Sequence, residues 1–515
     1  MSRRLYSLLF ILLAPVFWAV MALRARRAKQ PWDIFSAERF GFPTASSSGG
    51  VNNPRAVPAR ASANALVDTH NSDPARVSSD AAANAPQDAA LIWVHAVSLG
   101  ETRASHSLVS ALLDRGFRVL LTHMTATGRA EGRHLYGPQI AAGQLIQTWV
   151  PYDFPSATRR FFEAYRPALG ILIEREIWPN LVHACTARSI PLALVSARFS
   201  ASALKQSQRP WMAPLLRASL ASISPVLCQT QGDADRLSAA GACDPLVLGN
   251  LKFDVSVAAS TPPAVTEIKR SDPRSVVAVA STREGEDRMF ITALLAQREK
   301  NHWTGGGASA ALAGTSESIK KVDGIGTSES IEKSEGIARV EARALGEAGF
   351  LTLLIPRHPQ RFESAFEMAQ AAELTVYRRS ATGWQVPADA NVLIGDSLGE
   401  MAHYLGLADV AIIGGSFAPL GGQNFIEACA LGVPVIVGPH TRNFEPAAQD
   451  AIEAGAVLRA SSAAHALDLA QTLLADSAQR AAMASAGRAW VAQHVGATDR
   501  ILAALPLPGV VPRHR

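Results

Sequence analysis

Two series of short, continuous apolar runs, each run followed by a helix-like stretch, leave this chain few folds to choose from. The first series is Leu91–Val97, Arg118–Thr122, Leu169–Glu174, Pro191–Ser196 and Val226–Cys228. After a polar stretch near 255–274 comes the second: Ser275–Ala280, Phe350–Ile355, Asn391–Ile394, Val410–Ile413 and Pro434–Val437. Apolar continuity, rather than alternation, belongs to parallel strands covered by helices on both faces. The expected fold is therefore α/β, with two doubly wound Rossmann-like domains facing across a cleft. A length of 515 residues suits two domains plus extra segments. Ligands of open α/β sheets collect beyond the carboxyl ends of strands, so polar groups there are the first candidates for function.

The N-terminus stands apart from this pattern. An apolar run from Leu5 to Leu23 is interrupted only by Tyr6, Ser7 and Pro15. Its length approaches the ~20 residues that cross a bilayer as a helix. RARRAK follows at once, which argues against a cleaved signal peptide and for a retained membrane anchor at residues 1–30. Four basic residues follow the run and two precede it, which leaves the body on the cytoplasmic face. Spanning and lying in the interface both remain open. These six cations also explain the formal charge of +5: the other 43 Lys and Arg meet 44 acids, a balance of −1. The body thus has no global basic field, and nucleic acid is not an expected partner.

Cys185, Cys228, Cys243 and Cys429 lack metal-site spacing and read as reduced thiols, three of them in or near core elements. No metal site is expected. Residues 44–90, rich in Ala, Ser, Asn, Pro and Asp, read as a flexible linker or loop. Residues 303–338 hold a near-perfect tandem repeat, GTSESIKKVDGI then GTSESIEKSEGI, and two copies of twelve residues read as a surface insertion rather than a solenoid.

Candidate functional groups follow strand ends in both halves. WVHAVSLGETRAS sets Glu101 just beyond the first strand, as a general base or as an acid favoured by a helix N-terminus. ILIEREIWPN ends a strand at Glu174, which suits a site acid or a partner for Arg175 or Arg198. LGNLKFD places Lys252 near the junction of the halves, as a site cation or an exposed linker residue. In the second half, IPRHPQRF offers Pro356 and Arg357, the latter suited to phosphate or carboxylate. GDSLGEM offers Leu398, Gly399 and Glu400. GGSFAPLGGQNFIE, from Gly414 to Glu427, reads as a Gly-rich strand-to-helix turn whose backbone amides suit a phosphate or sugar nucleotide. Such turns also occur without ligands.

Taken in order, WVHAVSLGE, THMTATGR, VPYDFP, EREIWPNL, SARFS, GNLKFD, ASTREGE, IPRHPQRF, GDSLGEM, GGSFAPLGGQNFIE and GPHTRNF resemble the bacterial 3-deoxy-D-manno-octulosonic acid (Kdo) transferases. The resemblance runs from AERFG at 37–41 to about residue 500 and skips the linker and the repeat. It implies a GT-B glycosyltransferase at the inner membrane that moves Kdo from CMP-Kdo to the lipid A precursor, inverting and without a metal or other cofactor. Residues 31–255 would be the acceptor-side domain and 256–505 the CMP-Kdo domain. The resemblance gives Glu101 the role of general base, and Glu174 and Lys252 transition-state stabilisation. It assigns CMP binding to Pro356, Arg357, Leu398, Gly399, Glu400, Asn424, Phe425, Ile426 and Glu427. Two departures bear on detail: Arg175 stands where the family usually has threonine, and GGQNFIE replaces the more usual GGHNPLE.

Overall fold

All ten expected apolar runs become strands, and four more strands join them. The computed structural model describes residues 1–28, 32–43, 89–257, 274–299 and 350–509. The expected insertion at 303–338, and the linker at 44–90 except its last two residues, lie outside the described residues. Two compact units emerge: Met1–Val255 with Gly496–Arg515, and Ser256–Val495.

In the first unit the strands are β1 (Leu91–His95), β2 (Arg118–His123), β3 (Leu145–Trp149), β4 (Leu169–Ile173), β5 (Leu192–Ala197), β6 (Val226–Cys228) and β7 (Leu246–Val247). They form one parallel sheet in the order β3-β2-β1-β4-β5-β6-β7. Side chains alternate between its two faces as the pleat requires. Trp93, Leu120, Leu172 and Leu194 join the core on one face. Ile92, Val94, Ile171 and Val195 join the core on the other. The chain reverses its winding between β1 and β4, which pair directly with Ile92 opposite Leu169. Their carboxyl ends make the topological switch point, the standard ligand crevice of such sheets.

The second unit repeats the plan with β8 (Val276–Thr282), β9 (Leu351–Pro356), β10 (Val376–Arg378), β11 (Val392–Ile394), β12 (Val410–Ile413), β13 (Val435–Val437) and β14 (Val457–Arg459). Their order is β10-β11-β9-β8-β12-β13-β14, all parallel, and here the switch lies between β8 and β12. The four strands absent from the expected list are β3, β7, β10 and β14. These are the four sheet edges. An edge strand has a neighbour on one side only, so its apolar signal is weaker: β7 is exposed, and β10 is only half-buried.

Two terminal segments depart from expectation. The last helix, Ala497–Ala504, does not complete the second unit as the boundary at 505 supposed. Its Ile501 and Leu502 enter the core beside Ile92 and Val94. Asp254 fixes its start, accepting the Gly496 N–H at 2.7 Å and the Thr498 N–H at 2.5 Å. The correction is physical: apolar spacing at 497–505 says that a helix needs a core, not which core.

At the other end, Arg3–Ala28 is one continuous helix. One of its faces packs on the first unit, where Phe10, Ala14, Phe17, Trp18 and Met21 meet Tyr152, Phe154 and Phe40. Tyr6 donates to Asp153 at 2.9 Å, while Ser7 and Arg3 donate to Asn180 at 3.0 and 3.2 Å. Asp153 in turn accepts the N–H groups of Asn180 and Leu181.

Candidate active site

Local sequence explains how the first switch point is built. Ser98 begins the helix Leu99–Ala104 as its N-cap, and Glu101 reaches back to complete a capping box. The Ser98 N–H donates to Glu101 Oε2 at 2.7 Å. The other carboxylate oxygen accepts from none of the described residues, although the side chain is only 9% exposed. Burial, with the charges of Glu176 and Glu174, pushes the Glu101 carboxyl up to about 8, against the opposing pull of its Ser98 hydrogen bonds. Glu101 therefore caps the helix, and burial leaves its carboxyl raised toward neutrality.

Across the same switch, Glu174 leaves β4 with a left-handed backbone, φ 60°. A non-glycine residue adopts this only where its surroundings impose it, at a cost of order 1–3 kcal/mol. The Lys252 ammonium lies 2.6 Å from Glu174 Oε1, and both side chains are largely shielded from water. Burial alone would raise the Glu174 carboxyl, but Lys252, helped by Arg198 and Arg175, outweighs it and holds the group below its usual range. Lys252 is not an exposed linker lysine. Its N–H bonds to Asn250, which Gln229 and Ser196 hold from the ends of β6 and β5. Glu176, bonded by the Trp178 indole at 2.9 Å, is pushed upward by burial.

Beneath these groups lie two buried histidines that the sequence reading did not single out. His95 bonds Thr122, and His123 bonds Ala96 O and Gln147. Burial pushes both down to about 3, so they are neutral struts under the Val97–Glu101 turn.

The second unit's switch point carries different chemistry. Gly414 passes against β8 so closely that a β-carbon there would lie 2.6 Å from Thr282 Cα. The Gly-rich turn beyond it was expected to offer bare amides. Instead, fully buried Glu286 takes them, accepting N–H groups from Gly415 at 2.5 Å, Phe417 at 2.9 Å and Ala418 at 3.0 Å. It also accepts the Arg283 N–H at 2.8 Å. These amides are thus not free for a phosphate. Sequence reasoning quoted Glu286 inside ASTREGE without giving it a role. The spacing was a signal, since Ser98-x-x-Glu101 and Arg283-x-x-Glu286 follow the first strand of each unit in the same way.

Positive charge gathers next to this turn. Burial lowers His358, and so do the charges of Arg283, Arg357 and Arg361 around it. Arg361 is pinned by Asp287 and by Thr282 O. Arg357 follows Pro356 at the end of β9, with its N–H on Thr282 O at 3.0 Å. The GDSLGEM turn leaves Leu398 exposed and Gly399 left-handed. Glu400 is the N-cap residue of the helix after it, but its side chain makes no cap bond. It pairs with Arg379 at 2.8 Å, and that guanidinium stacks 4.1 Å over Trp384.

Asn424 accepts the Ile426 N–H at 3.2 Å, opening the short helix Ile426–Leu431 with Glu427 in its first turn. Phe425 is buried and stacked on Trp490, and Ile426 is fully buried, so both side chains belong to the core beneath this turn. Cys185, Cys228 and Cys429 are buried and Cys243 exposed, so three of the four lie in the core as expected.

Comparison with known proteins adds an independent finding. Residues 37–255 match the family described as 3-Deoxy-D-manno-octulosonic-acid transferase (kdotransferase). A 3-deoxy-D-manno-octulosonic acid transferase of Bordetella pertussis is 47% identical over 505 residues, which cover 98% of this chain and 99% of that one. One from Haemophilus influenzae is 27% identical over 419 residues, 80% of this chain and 85% of that one. Among solved structures, the C-terminal CMP-Kdo binding domain of WaaA from Acinetobacter baumannii is 24% identical, covering 47% of this chain and 98% of that one. Its TM-score of 0.33 is too loose to bear on function.

Proposed function

The chain belongs to the 3-deoxy-D-manno-octulosonic acid transferase family, and from that premise we propose that it transfers Kdo from CMP-Kdo to a hydroxyl of the lipid A precursor. The observation that carries the mechanism is Glu101: a shielded carboxylate with one oxygen held, the other without a partner among the described residues, and its carboxyl brought to about 8. In this reading Glu101 takes the proton of the acceptor hydroxyl. That oxygen forms its bond to the anomeric carbon of Kdo as the bond from carbon to phosphate oxygen breaks, and CMP departs with the electron pair. Attack opposite the leaving group inverts the centre. Lys252 and Glu174, locked at 2.6 Å, set the field around the developing charge.

Donor binding falls to the second unit. Arg357 beside Pro356 meets the phosphate, with Arg283 and Arg361 adding charge. The Leu398-Gly399-Glu400 turn and the Asn424–Glu427 segment hold the nucleotide. Fixed cations neutralise a departing CMP without help from a metal ion, so the reaction is proposed to run unchanged in chelator. The apolar helix Arg3–Leu23 attaches the enzyme to the inner membrane on its cytoplasmic face, where a lipid acceptor is concentrated.

The test is purified full-length protein given tetraacylated precursor with CMP-Kdo or with UDP-sugars, and mass analysis of the lipid. A mass gain of one or more Kdo units from CMP-Kdo alone is expected. Transfer from a UDP-sugar instead would replace Kdo with another donor, and no turnover with any donor would overturn the enzymatic reading.

A further inference from the structure

The helix Arg3–Ala28 is apolar around most of its circumference, but its two sides have different fates. On one side it is bonded to the first unit near both ends: Arg3, Tyr6 and Ser7 reach Asn180 and Asp153, and Met21 lies against the Tyr152 hydroxyl. On the other side, Leu5, Leu8, Leu12, Val16, Val20 and Leu23 recur at helical spacing and stand open, with Leu12 65% and Val16 62% exposed. A helix of this length extends about 39 Å. Were it to cross a bilayer, its first turn would lie on the far side from its last. Asp153 and Asn180 could not then be partners of that first turn. Crossing would strip three polar bonds and bare the aromatic face of Phe10, Phe17 and Trp18.

We propose that this helix lies along the membrane surface instead of crossing it, with its open leucine and valine stripe immersed in the lipid of one leaflet. The inference rests on the reading of this chain as membrane-attached. The occupant is a lipid surface with anionic headgroups. Exposed Arg4 and Arg26 stand at opposite ends of the stripe, and exposed Phe35, packed on Trp18, extends it beyond the helix. Both ends of the helix then stay on the cytoplasmic side, and the stripe fixes which face of the first unit looks at the bilayer.

Two measurements on the full chain test this, and neither reads sugar transfer, so failure of the Kdo assignment leaves them intact. Cys243 is the exposed cysteine and is replaced by serine; the other three are buried. In that background, Ser2→Cys is probed with a membrane-impermeant maleimide. No labelling in intact spheroplasts is expected, and labelling from outside would overturn the proposal. Separately, purified protein is floated with vesicles of phosphatidylethanolamine and phosphatidylglycerol. Wild type should float, and the double variant L12D/V16D should partition about tenfold more weakly at an unchanged melting temperature. Wild type that stays unbound would exclude lipid as the occupant. A double variant that floats like wild type would exclude the stripe.

Discussion

The two switch points use the same device to different ends. In each, a glutamate just past the first strand reaches back three residues to a backbone N–H, Glu101 to Ser98 and Glu286 to Arg283. Glu286 is then saturated by three further amides and becomes a structural strut for the Gly-rich turn. Glu101 instead has one oxygen that accepts from none of the described residues, and burial, with the charges of Glu176 and Glu174, pushes it up to about 8. The difference teaches that a buried carboxylate is defined by how many donors its neighbours leave it. Four N–H donors build Glu286 into the frame of its turn. Burial among like charges, opposed only by the hydrogen bonds of Ser98, raises the Glu101 carboxyl.

If that contrast holds, substitutions should separate rate from stability. Glu101→Gln keeps an oxygen for the Ser98 N–H but loses the proton acceptor. Transfer from CMP-Kdo should drop by about 10²–10⁴-fold, with the melting temperature little changed. Full activity in this variant would reduce Glu101 to a cap. Lys252→Ala leaves Glu174 shielded without its cation. A rate loss of about 10²-fold, measured as kcat, is expected, together with a stability loss of about 1–3 kcal/mol in denaturant titration.

Glu286→Gln should show the reverse balance. An amide cannot satisfy four N–H groups with one oxygen, so unfolding should become easier by about 1–3 kcal/mol, with KM for CMP-Kdo raised more than kcat is lowered. A variant as stable as wild type would show that the Gly-rich turn holds its shape unaided.

The pH profile gives the subtlest test. The proposed base must be ionised, so kcat/KM should climb about tenfold per pH unit toward a limb near 8 and level off above it. Glu176→Gln removes the like charge that ranks after burial among the causes, and it should move that limb to lower pH. The sign for stability is opposite. The folded chain holds a proton on Glu101 where the unfolded chain has released it. This contribution is therefore lost as pH rises from the ordinary carboxylate range to about 8.

Much of this architecture was legible because buried parallel strands advertise themselves: Val226–Cys228 and Val410–Ile413 match their expected bounds residue for residue. The edges β3, β7, β10 and β14 were not: β7, β10 and β14 are only partly covered or exposed, and Gln147-Thr148 breaks the apolar run of β3. At the site, Glu101, Glu174 and Lys252 could be placed at strand ends and a junction, but the Glu174–Lys252 contact spans 78 residues and no local pattern encodes it. The amides of Gly415, Phe417 and Ala418 were misjudged for the same reason. Their partner lies about 130 residues earlier in the chain. Nor does the sequence around Asn424 show that Phe425 stacks on Trp490, 65 positions further along the chain.

The return of Ala497–Ala504 to the first unit has a consequence for how the protein is made. Ile501 and Leu502 finish the core beneath β1, the strand that leads to Glu101, yet they follow the whole second unit in chain order. A ribosome must complete the entire second unit before the first can close. A chain interrupted just before Gly496 would therefore emerge with its later unit whole and its earlier one open, presenting fresh apolar surface to proteases from the half that was synthesised first.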